Sequence, residues 1–146
     1  MFASPVPFAV GDESSSIVLA KLNSDPQSDL AVTNYDESTV SVFLDAGDGT
    51  FATQTTYATG AYPTSVVAGD FNGDGSNDLA VTSWNDTVVG IFLNRGDGTF
   101  AAQVTYATGD EPDSAAVGDF NGDGYVDLVV ADADGNSLSV LLNQCL

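Results

Sequence analysis

The 146-residue chain has no histidine, one cysteine and only two basic residues, Lys21 and Arg95. Each shortage removes a class of chemistry. Without histidine there is no Ser-His-Asp or Cys-His nucleophile and no imidazole ligand for zinc. The single Cys145 cannot form an internal disulfide, and it reads as incidental rather than as a reactive or cross-linking thiol. No apolar run reaches the ~18 residues of a helical membrane span, so no membrane insertion is expected. The opening MFASPVPFAV lacks the basic start and long apolar centre of a signal peptide, which leaves a cytosolic protein or a mature or excised piece. Against two basic residues stand 21 Asp and Glu, for a net charge of −19. Such a surface repels phosphate backbones and anionic headgroups, so nucleic acid is not an expected partner. It attracts cations.

Apolar residues make up 43% of the chain, enough for one domain over 1–146 with a packed core rather than a disordered acidic tail. The organising feature is a repeat. Residue n aligns with n+49 without gaps: Phe2, Phe51 and Phe100 coincide, as do Phe8, Tyr57 and Tyr106, Leu30, Leu79 and Leu128, and Leu44, Leu93 and Leu142. Residues 51–97 and 100–146 are identical at 22 of 47 positions, giving units over about 2–50, 51–99 and 100–146. Each unit reads as four short strands, in the middle one 64–71, 78–83, 87–94 and 100–108, divided by Asp/Gly/Asn turns. No window has a helical period. The strands are apolar on both faces: in TVVGIFLN, Val88, Gly90 and Phe92 share one face while Val89, Ile91 and Leu93 share the other. Burial on both faces predicts four-stranded sheets stacked face to face. The expected fold is all-β, a β-propeller with three four-stranded blades per chain.

Two loops carry the acidic chemistry. In 70–78, Asp70, Asn72, Asp74 and Asp78 offer side-chain oxygens at positions 1, 3, 5 and 9. Gly75 allows a sharp turn, and the Ser76 carbonyl can serve at position 7. Residues 119–127 repeat the set with Asp119, Asn121, Asp123, Asp127, Gly124 and the Tyr125 carbonyl. Hard oxygens at this spacing suit calcium, which takes six to eight of them. A helical calcium hand wants Glu at position 12, where Val81 and Val130 stand, so a strand–loop–strand site with two Ca2+ per chain is expected. In the first unit the stretch is KLNSDPQSD. Lys21 replaces the first ligand and Pro26 the glycine; no calcium is expected there, with the Lys21 ammonium neutralising Asp25 and Asp29 or simply solvated.

VAGDFNGDGSNDLAV and AVGDFNGDGYVDLVV, each with a GDGTF-like turn one strand pair away, resemble the FG-GAP or VCBS repeats of integrin-type β-propellers. The resemblance covers the chain weakly in the first unit and strongly in the others. It implies that the Asp loop joins the first and second strands of a blade and holds calcium. It also implies an extracellular or cell-surface setting and a binding module, since related propellers include integrin heads and sugar-binding fungal lectins.

Propellers close with four to eight blades, so three form an open arc. Residues 2–8 are in phase with fourth strands, whereas the chain ends on a third strand, 137–143. A head-to-tail homodimer is expected, a six-bladed ring in which the N-terminal strand of each chain closes the last blade of the other. The rival is a fragment of a longer propeller. Three functional classes remain: a module binding a glycan or an extracellular protein, a purely architectural unit, and an enzyme, which the missing histidine disfavours. Tyr35 and Trp84, in phase beside short polar residues, are candidate sugar-stacking rings; the bland alternative is packing between blades. Asp36, Asn85 and Asp86 read as turn formers.

Overall fold

The computed structural model describes residue 2 and residues 4–144; Cys145 lies outside the described residues. Eleven strands and no helix are found among them. They form three antiparallel meanders. The first sheet is β1(Ser14–Ala20), β2(Asp29–Asn34), β3(Thr39–Phe43) and β4(Thr55–Ala58); the second is β5(Pro63–Gly69), β6(Asp78–Ser83), β7(Val88–Phe92) and β8(Val104–Ala107). The third holds β9(Pro112–Gly118), β10(Asp127–Asp132) and β11(Ser137–Leu141), three strands rather than four. The arrangement is propeller-like, an open arc of three blades.

The strands form where β-branched and aromatic residues cluster, and they break where glycine can take a left-handed backbone. Gly73 and Gly75 have φ of 75° and 88° in one Asp loop, and Gly122 and Gly124 have 79° and 89° in the other. The middle strand β6 is buried along its whole length, as the two-faced apolar pattern requires.

Neighbouring blades meet through their apolar faces. Between the first two blades Leu22, Val40 and Val42 pack with Val66, Leu79, Phe92 and Phe100. Between the second and third, Ala80 and Val89 meet Leu128 and Val130. First strands lie against first strands and are cross-linked at the same phase. Ser15 Oγ donates to the Pro63 carbonyl at 2.6 Å, and Thr64 Oγ1 to the Pro112 carbonyl at 2.9 Å. A further clasp recurs in every unit: the Tyr35, Trp84 and Ala133 amides donate at 2.9 Å to the carbonyls of Glu13, Tyr62 and Glu111. Those three acceptors all have left-handed φ, of 50°, 57° and 54°.

Residues 4–10, in phase with β4 and β8, form no strand in the single chain and are exposed. Phe8 is nevertheless anchored, edge-on to Phe51 with ring centroids 5.2 Å apart.

Packing between blades should dominate stability. Phe92, fully buried at the first seam, should cost about 3–5 kcal/mol when replaced in Phe92→Ala, measured by denaturant titration.

Candidate functional site

The connections β1–β2, β5–β6 and β9–β10 are the three Asp loops, so each joins the first two strands of its blade. In an antiparallel meander these loops lie at one end of the sheets together with the β3–β4 and β7–β8 turns. The turns bearing Tyr35 and Trp84 lie at the opposite end.

The loops over 70–78 and 119–127 are built alike. Asp70 Oδ1 accepts the amides of Gly73 and Asp74 at 2.7 and 3.1 Å, and its Oδ2 accepts Gly75 at 2.9 Å. Asn72 Oδ1 accepts the Asp74 amide, Asn72 Nδ2 donates to Asp74 Oδ2, and Asp74 Oδ1 accepts the Ser76 amide. Asp119, Asn121 and Asp123 repeat every one of these bonds on Gly122, Asp123, Gly124 and Tyr125. The Ser76 amide, then the Asn72 side chain, hold the exposed Asp74 carboxyl below the usual carboxylate value. The Gly124 amide is the chief cause of the same depression at Asp119. The ligand side chains thus lie turned onto their own loop. The described residues contain no group of three or more His, Cys, Asp or Glu gathered as a metal cluster.

The ninth position is different. Asp78 is fully buried. Its Oδ2 accepts the Phe71 amide at 3.0 Å and its Oδ1 the Asn94 amide at 2.8 Å. Asp127 does the same with Phe120 and Asn143. So does Asp29 with Leu22 and Asp45, in the unit that has Lys21 in place of the first acid. In all three blades this carboxylate ties the start of the Asp loop to the end of the third strand. Burial is the main influence pushing the Asp78 carboxyl above its usual value; the charges of Asp74 and Asp70 add to it, and the two N–H bonds oppose it.

The first loop keeps part of the pattern: Asn23 Oδ1 accepts the Asp25 amide and Asp25 Oδ1 the Gln27 amide. The expected neutralisation by Lys21 is corrected. Lys21 is exposed, and among the described residues its ammonium group meets no carboxylate. Asp29 is buried with both oxygens on backbone donors, whereas Lys21 stays in solvent.

At the other end, Tyr35 lies 5.0 Å from Tyr62 with the rings tilted by 37°. Trp84 is half-buried and hangs from the Tyr62 carbonyl. Tyr62, 39% exposed, pairs with Tyr35 across the first seam, a contact that the sequence reading missed; its link to Trp84 is a backbone bond alone. Asp86, expected to shape its own turn, reaches out of it: its Oδ2 accepts the Ala61 amide at 2.7 Å and ties the β6–β7 turn to the β4–β5 connection.

Asp29→Ala and Asp78→Ala should each destabilise the fold by about 2–5 kcal/mol, because each leaves two backbone donors without their acceptor. The loss at Asp29 should persist in full under chelator, as seen by thermal melting with and without it.

The model of the FG-GAP-like repeat family matches the chain twice, over residues 21–81 and 70–130. Each match starts in one Asp loop and ends in the second strand of the next unit. No curated protein matches the chain. Repeats of this kind suggest a propeller-type binding or adhesive module. Together the two matches span well over half of the chain, which belongs to the FG-GAP-like repeat family.

Proposed function

We propose that the chain is a calcium-stabilised recognition module, non-catalytic, with carbohydrate as its ligand class. The observation that carries the calcium reading is the pair of loops over 70–78 and 119–127, which share one bonding pattern while exposing acids that no basic side chain offsets. Their donors are all oxygen, which fits a hard cation and not zinc or copper. Asp70, Asn72, Asp74, the Ser76 carbonyl and Asp78 would hold one ion, and Asp119, Asn121, Asp123, the Tyr125 carbonyl and Asp127 a second. Bound calcium supplies positive charge that cancels the mutual repulsion of these acids. Asp78 and Asp127 contribute from lone pairs left over by their backbone bonds. The loop over 21–29, with Lys21 first, holds none.

Carbohydrate is supported by the Tyr35–Tyr62 ring pair, next in sequence to Asp36, and by the half-buried Trp84, next in sequence to Asn85 and Asp86. A sugar presents an apolar face to such rings and hydroxyls to such acceptors. With −19 per chain, the ligand is neutral or cationic. The architectural reading, with calcium as the sole ligand, gains from the tilted Tyr35–Tyr62 contact, which already occupies one ring.

Metal analysis should find two calcium ions per chain. Asp74→Ala should remove one and Asp123→Ala the other. A hundredfold excess of calcium over Kd should add about 2.7 kcal/mol of stability per occupied site, visible as a higher Tm that chelator reverses. On a glycan array run with calcium, specific signal should fall on Trp84→Ala. A blank array favours the architectural reading.

A further inference from the structure

The two ends of the arc are uncovered copies of its interior seams. At the first seam Val40 and Val42 are buried; their phase-mates on the third blade, Leu138 and Val140, are 69% and 56% exposed. Val66 is buried in the second blade, whereas its phase-mate Ile17 on the first is 58% exposed. One end therefore displays the face that the other end lacks.

A groove of about 420 Å³ between the second and third blades marks a missing side chain. Phe71, Tyr106 and Leu141 line it. Their phase-mates Leu22, Tyr57 and Phe92 surround Phe100, which is buried edge-on to Tyr57 at 5.5 Å and donates its amide to the Tyr57 hydroxyl at 3.2 Å. The N-terminal residue in the phase of Phe100 is Phe2, which is fully exposed. Phe8 already lies edge-on to Phe51 at 5.2 Å, as Tyr57 lies to Phe100. The N-terminal segment therefore stands where the outer strand of a preceding blade would stand, with no such blade beside it.

We propose that this preceding blade is the third blade of a second copy, and that Phe2 of the partner subunit fills the groove. The proposal is independent of calcium and of carbohydrate. Its register follows from β3–β4, where Val40 opposes Tyr57 and Val42 opposes Thr55. Shifted by the period, Leu138 opposes the partner's Phe8, Val140 the partner's Val6, and Ser137 the partner's Ala9. The Thr59 amide bonds the Ser38 carbonyl, so alternate pairs bond through Val40 and Val42. In the new pairing Val6 and Phe8 supply the N–H groups toward β11, while Pro5 and Pro7, which have none, fall on the outer edge where none is needed.

This seam is weaker than the internal ones at two points. Asn94 and Asn143 donate across internal seams to the carbonyls of Leu22 and Phe71, but their phase-mate in the first blade is Asp45. Ser15 and Thr64 donate across as well, but their phase-mate in the third blade is Asp113. Neither carboxylate can donate.

Native mass spectrometry of the full chain should give twice its 15.0 kDa mass. A variant lacking residues 2–8 should lose the dimer. In a Cys145→Ser background, Ala9→Cys with Ser137→Cys should oxidise to a covalent dimer, since non-hydrogen-bonded antiparallel partners have Cα atoms about 4.5 Å apart, within disulfide reach. The Asp45→Asn/Asp113→Thr pair, which restores donors at both ends, should dimerise at about tenfold lower concentration. A single-chain or threefold mass overturns the proposal, as does a disulfide closed within one chain. So does a dimer indifferent to loss of residues 2–8 or to the restored donors.

Discussion

The constraint on which each blade depends is a carboxylate with no water around it. Asp29, Asp78 and Asp127 are buried, and each spends both oxygens on backbone amides from two separate connections. Burying a charge is costly unless it is fully hydrogen-bonded, and here the bonding is to amides that would otherwise be orphaned by the turns. The Asp fixes where the first loop starts and where the third strand stops. The register of the first three strands follows, and with it the alignment of the apolar faces that meet at each seam.

That clamp separates two jobs within one acidic motif. The loop acids Asp70 and Asp74 hold the backbone of their own turn. Asp78 faces inward and organises the blade. The first unit makes the division visible, because it has lost the leading acid and the turn glycine yet keeps the clamp. The first blade keeps the Asp29 clamp without the full acidic loop.

Much of this was legible from the period. The sequence reading bounded the strand over 78–83 as β6 has it, and the 49-residue phase placed the Asp loops between first and second strands. Apolar residues on both strand faces announced face-to-face sheets. Other features were hidden for physical reasons. A carboxylate at position 9 looks the same in text whether it faces a cation or two amides; only the survival of Asp29 beside Lys21 and Pro26 hinted at the second role. Tyr62 was missed because its contact with Tyr35 depends on a left-handed backbone that its side chain does not advertise. The isolation of Lys21 could not be read either, since it depends on Asp29 facing into the blade while Lys21 faces solvent.

The sequence unit and the blade are out of step, and this sets an order of assembly. The strand that finishes the first blade, β4(Thr55–Ala58), is encoded in the second unit, and β8(Val104–Ala107) in the third. As the chain emerges during synthesis, a blade therefore gains its outer edge only after the next unit has begun. A proteolytic nick in the turn over 45–50 would detach a blade from its own edge strand while leaving that strand covalently joined to the blade that follows.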